Sequence, residues 1–153
     1  MLGLADEKAG FEGNVVMPDS ENGASPIVTD TTVHAVYNKS GPVDLISCHA
    51  APVVTPFLED LLGDLDKNRE DYRKASPIAY LSEEDPPVMT IHGELDHVVP
   101  VEQARMLNTR MMEKGLSHRY LELEGEKHIF SRPNHQIYWE SFYEFFDKHL
   151  KAQ

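Results

Sequence analysis

A chain of 153 residues has the length of one domain, and a domain of that size buries roughly 70% of its unfolded surface on folding. A hydrophobic content of 41%, a charged content of 26% and ten prolines exclude a disordered, fibrous or coiled-coil protein. A net charge of −12 opposes attraction to phosphate backbones and anionic lipid, and the lone Cys48 leaves neither an internal disulfide nor a cysteine framework for metal.

No apolar run approaches the roughly 20 residues that span a bilayer, and Met1-Leu2-Gly3-Leu4-Ala5 runs straight into Asp6-Glu7-Lys8. The expectation is a soluble, cytoplasmic chain with no signal peptide, no membrane association and no nucleic-acid partner. Leu2, Leu4 and Ala5 have the look of a helix end. Residues 9–32, rich in Gly, Pro, Asn, Asp, Ser and Thr, read as a long loop. Val33 to Tyr37 is a β-branched and aromatic run, a strand, closed by Asn38-Lys39-Ser40-Gly41-Pro42 as turn chemistry. Residues 56–63 carry apolar positions at helical spacing before Gly63, and Tyr72 to Leu81 reads as irregular around Ser76-Pro77.

Pro87 to Gly93 is an apolar run ended by glycine, a buried strand. From Pro100, the residues Val101, Ala104, Leu107 and Met111 share one face of a helix that Gly115 terminates. His118 to Glu124 alternates with period two, a third strand lying near an edge. The last helix, about residues 135 to 150, places Tyr138, Phe142 and Phe145 together with Trp139 and Phe146, an aromatic stripe expected in the core. Strand alternating with helix predicts βαβ crossovers and an α/β domain of three parallel strands flanked by helices, with no internal repeat and no boundary between two domains.

In open parallel sheets the chemistry sits beyond the C-terminal strand ends. The loops to watch are therefore Ser40–Ser47, His92–Val99 and Gly125–Ser131. Taken alone, an Asp after a strand is most often a turn or capping residue, and a loop histidine is most often surface. His92 reads as structural at a strand end and His97 as exposed, and the scatter of the eight histidines predicts no metal site. Glu83-Glu84-Asp85 reads as a solvated loop.

Tyr72-Arg73-Lys74-Ala75-Ser76-Pro77-Ile78, followed by Pro86-Pro87-Val88-Met89-Thr90-Ile91-His92-Gly93-Glu94-Leu95-Asp96-His97-Val98-Val99-Pro100, resembles α/β-hydrolases of the prolyl-oligopeptidase-like and lipase-like esterase branches. Gly41-Pro42-Val43-Asp44-Leu45 resembles that family's loop after its sixth strand, so the likeness runs from about Val33 to Leu150. The resemblance implies a partial, three-layer α/β-hydrolase fold. It makes Asp96, within HG-x-x-D-x-x-V-P, the triad acid, and His128, within Gly125-Glu126-Lys127-His128, the triad base. In such a triad the imidazole takes the proton of a serine hydroxyl while the carboxylate fixes its tautomer. It also implies a small ester or acyl substrate and no cofactor.

The family nucleophile lies in G-x-S-x-G, and no such motif occurs here; Gly23-Ala24-Ser25-Pro26-Ile27 lacks the second glycine. By resemblance the elbow precedes Met1-Leu2-Gly3-Leu4-Ala5, so the chain is expected to be the C-terminal part of the fold and inactive alone. Ser40, Ser47 and Cys48 are the nucleophile-type residues near the first strand's end, open to recruitment by His128 or to ordinary loop roles. Glu126-Lys127 and Ile129-Phe130 stand where relatives often carry small residues, which predicts a restrained His128 loop. The first strand's free edge predicts a homodimer or larger assembly. Two other readings stay open: a non-catalytic interaction module, and a subunit completing a separately encoded serine-bearing half.

Overall fold

The computed structural model describes residues 32–151 together with the two-residue strands β1 (Val15–Val16) and β2 (Val28–Thr29), which pair antiparallel. The remainder of the expected 9–32 loop, the Met1–Ala5 helix end and Ser25 lie outside the described residues. Three strands form the main sheet in the order β3 (Val36–Lys39), β4 (Val88–Gly93), β5 (His118–Leu123), and both pairings are parallel. Between β3 and β4 run the helices α1 (Leu45–Cys48), α2 (Thr55–Leu62) and α3 (Leu65–Ala75) and a 3₁₀ turn at Pro77–Tyr80. α4 (Glu102–Glu113) connects β4 to β5, and α5 (His135–Leu150) closes the chain.

The layers follow from the two-residue period of the strands. Val36 and Val88 point to the side where Val43, Leu81, Leu107 and Met111 pack, so α4 covers that face. Tyr37, Ile91, Leu121 and Leu123 point the other way, onto Phe130 and Tyr138 beside α5. Every residue of β4 is buried, as a central parallel strand must be, whereas β5 is half-buried along most of its length. Val101, Ala104, Leu107 and Met111 are all buried, as their spacing predicts.

Three expectations are corrected. The first strand begins at Val36 and runs through Asn38 and Lys39, because its register with Val88–Ile91 supplies partners there and none to Val33–Ala35. Residues 65–75 form a helix that swallows the start of the stretch read as irregular. Asp64 caps it by accepting from Asp66 N at 3.1 Å and Lys67 N at 3.3 Å, and the fully buried Tyr72 anchors it by donating to Gly63 O at 2.8 Å. The aromatic stripe of α5 is core only in part: Phe145 is buried, Tyr138, Phe142 and Phe146 are half-buried, and Trp139 is 44% exposed.

Among the described strands, β3 has a hydrogen-bonded neighbour on one side only. Beside it lies a largely apolar cavity of about 370 Å³, lined by Val36, Val43, Leu61, Ala75, Val88 and Leu107 among others. Leu61, which lines that cavity, and Phe57, both on α2, are more than 70% exposed. No described helix is long and apolar enough to cross a membrane.

Candidate active site

The loops following β4 and β5 meet at the C-terminal end of the sheet. Asp96 sits in the first, in a turn that its own side chain closes: Oδ1 accepts from Val98 N at 2.8 Å and from Val99 N at 3.0 Å. The other oxygen, Oδ2, lies 2.8 Å from His128 Nδ1. The carboxylate is fully buried, while the His128 side chain is 35% exposed. A carboxylate facing Nδ1 places the ring proton there and leaves Nε2 as the nitrogen able to take a proton. Among the described residues Nε2 has no hydrogen-bond partner. One carboxylate oxygen therefore serves the turn and the other meets His128.

The His128 loop is tied down from four directions. Leu95 N donates to Glu126 O at 2.8 Å, and Gly125 N donates to Glu94 Oε2 at 2.9 Å. The buried Glu126 carboxylate accepts from Ser131 N at 2.7 Å and also from Ser131 Oγ and Asn134 Nδ2. Phe130 is buried against the Ile91 and Leu123 side of the sheet. Gly93 permits this closure, because a Cβ there would stand 2.4 Å from Lys127 O and 2.5 Å from Glu126 O. Of the four residues expected to restrain this loop, Glu126 and Phe130 are buried and do so, whereas Lys127 and Ile129 are exposed.

Of the nucleophile-type residues near β3, Ser47 is otherwise engaged. Ser47 Oγ donates to Asp44 O at 3.3 Å and accepts from Gln103 Nε2 at 2.9 Å. Cys48 is fully buried, and burial first, then the charges of Asp44 and Asp96, push its thiol up to about 11, so it is not a thiolate at neutral pH. Ser40 is buried with a φ of 49°, and its Oγ has no partner among the described residues. None of the three bonds to His128.

Sequence reasoning missed Gln103. This buried side chain on α4 accepts from Val43 N at 3.0 Å and Asp44 N at 2.8 Å through Oε1, fixing the loop after β3. Its signal was available, since an uncharged polar residue stands one and two turns before Leu107 and Met111 on a buried face. His92 is buried as expected, and it also touches Asp96. His97 is exposed, and the described residues hold no group of three or more His, Cys, Asp or Glu able to bind a metal ion.

A family model for the prolyl oligopeptidase family matches residues 29–153. The chain belongs to that family. Membership in the prolyl oligopeptidase family places it among the α/β-hydrolases, in agreement with the resemblance carried by the HG-x-x-D-x-x-V-P segment. Esterase LipC of Mycobacterium tuberculosis is 37% identical over 110 residues, which is 69% of this chain and 27% of that protein. Esterase LipQ of the same organism is 32% identical over 105 residues, 66% of this chain and 25% of that protein. The chain thus spans about a quarter of the length of these relatives. A Mycobacterium tuberculosis puromycin-hydrolyzing peptidase superposes with a TM-score of 0.73 at 27% identity, covering 80% of this chain and 19% of the other. A truncated form of a carbohydrate esterase from gut microbiota shares the fold over 97% of this chain and 54% of its own, with a TM-score of 0.71 at 23% identity.

Proposed function

We propose that this chain supplies the acid and base of an acyl hydrolase triad, Asp96 as the acid and His128 as the base, and that it has no triad turnover by itself. The observation that carries the reading is the 2.8 Å contact between His128 Nδ1 and Asp96 Oδ2 at the ends of adjacent parallel strands. In this arrangement Asp96 holds the imidazole tautomer and stabilises its charged form, while Nε2 takes a proton from a nucleophile. The chain holds no G-x-S-x-G, and a strained elbow with its following backbone N–H is what presents a serine and binds the oxyanion. The substrate class is a small ester or another acyl compound, as the esterase and peptidase names of the relatives suggest.

The test is hydrolysis of short-chain p-nitrophenyl esters by the purified 153-residue chain beside His128→Ala and Asp96→Ala. No turnover above the two variants is expected. Activity in the parent chain that both substitutions abolish would refute the inactivity and direct attention to Ser40, Ser47 and Cys48.

A specific observation favours a second, compatible reading, in which the chain is one folding unit that completes a separate serine-bearing half. Among the described residues β3 has no strand on its outer edge, which lies next to an apolar cavity, and Asn38 Nδ2 and Ser40 Oγ on and just after that strand are buried without partners. Buried orphan polar atoms are costly, so their clustering at one edge supports the reading that another element packs there. In the absence of such a partner, the same edge drives self-association of this chain.

A further inference from the structure

His92 is a buried titratable group at this end of the sheet that the proposed triad chemistry leaves without a task. It is the fifth residue of β4 and is fully buried. Its Nε2 donates to Val99 O at 2.9 Å, and the same nitrogen stands 3.1 Å from Asp96 Oδ2, the oxygen that faces His128. Its Nδ1 is buried with no partner among the described residues. Both nearby acceptors face Nε2, so the ring proton sits on Nε2.

An orphaned ring nitrogen inside a central strand is a cost that an apolar side chain would avoid. What the imidazole supplies in return is visible in the turn it serves. Val99 contributes its N–H to Asp96 Oδ1 and its carbonyl to His92 Nε2, so one residue is clamped from both sides. The ring edge then backs Oδ2 from within the protein while His128 approaches the same oxygen from its own loop.

We propose that His92 is a positioning residue for the Asp96–His128 pair: by clamping the Val99 carbonyl and backing Asp96 Oδ2, it holds the carboxylate in the orientation that His128 uses. This inference rests on the reading of Asp96 and His128 as an acid–base pair. Without the clamp, Val99 is free to turn, its N–H leaves Oδ1, and the carboxylate shares His128 Nδ1–H with water.

The test is proton and nitrogen NMR of the 153-residue chain, reading the low-field His128 Nδ1–H signal and its exchange with water at fixed pH. The signal is assigned by its loss in His128→Gln. His92→Asn carries an amide too short to reach Val99 O, and faster exchange or loss of the signal is expected in it. His92→Gln places an amide N–H where Nε2–H stands, and recovery of the signal is expected. An unchanged signal and exchange rate in His92→Asn, with a dispersed amide spectrum like that of the parent, would overturn the positioning role. Should His92→Asn not fold, a folded His92→Leu serves in its place with the same two outcomes. A His92→Gln variant that folds but exchanges as fast as one without the donor also overturns it. A parent chain with no signal that His128→Gln removes would instead refute the Asp96–His128 pair, and the inference with it.

Discussion

Replacing Gly93 with alanine tests how the two site loops are brought together. The φ of Gly93 is not positive, so alanine is compatible with its backbone and the penalty is one of space alone. The added methyl would meet Lys127 O at 2.4 Å, Glu126 O at 2.5 Å and Glu126 C at 2.7 Å, all backbone atoms. Ordinary contact begins near 3.4 Å, so the Glu126–Lys127 segment must retreat by about 1 Å. Retreat is resisted, because Glu126 O is the acceptor for Leu95 N at 2.8 Å. Overpacking of this kind costs about 1–3 kcal/mol, with the loss of one buried hydrogen bond inside that range. Urea unfolding followed by circular dichroism should show a lower midpoint at unchanged slope, and the His128 Nδ1–H proton should exchange faster. Gly115→Ala is the control, with a φ of 67° and nothing within 4 Å of the new Cβ. It should cost about 1 kcal/mol through backbone strain and leave the His128 proton untouched. A Gly93→Ala chain with the parent's midpoint and the parent's exchange rate would refute the argument that this glycine is there for loop approach.

Glu126→Ala leaves Ser131 N–H and Asn134 Nδ2 without their buried acceptor, and a loss of about 1–3 kcal/mol is expected in urea unfolding; a loss below about 0.5 kcal/mol would mean that water replaces the carboxylate. Cys48 has a thiol raised in the fold to about 11, so the unfolded chain releases its proton first as pH rises. Its contribution to stability is complete at pH 7 and disappears between about pH 9 and pH 11, a change of about 2 kcal/mol that Cys48→Ala should lack when the two chains are compared at pH 7 and pH 10.5. If the β3 edge recruits a second copy, light scattering should give a mass well above 17.3 kDa for the isolated chain. A monomer at working concentration would end that proposal.

Most of the sheet was legible because its signals are local. The run Val88–Gly93 is apolar throughout and ends in glycine, His118–Leu123 alternates, and α4 carries its buried face at helical spacing; each element falls within a residue or two of its expected place. The errors arose where tertiary contacts decide. Asn38 and Lys39 have turn-forming chemistry yet pair with Thr90 and Ile91, since a neighbouring strand outweighs their preference. α3 was missed because Leu65–Ala75 is mostly polar, with Tyr72 its one buried residue, and its apolar face is sparse, only Leu65, Tyr72 and Ala75. Its better signals were the Asp64 cap and the Glu70–Arg73 pair one turn apart. For the candidate site, the resemblance around Asp96 and the place of His128 after the last strand pointed to two residues that the structure brings to 2.8 Å of each other. The hydrogen-bond partners of the supports, Gln103 and Glu126, were not legible, because they lie on other elements or turn back across a loop.

The division of labour within the Asp96 carboxylate bears on which of the two residues tolerates substitution. Oδ1 closes the turn that joins β4 to α4, so substitution of Asp96 is penalised by folding even in a lineage without catalysis. His128 hangs from the opposite oxygen, is one-third exposed, and has no second bond among the described residues to keep it. Where no chemistry is selected for, the imidazole is therefore the residue free to be replaced first, so a histidine at position 128 says more about function than an aspartate at position 96.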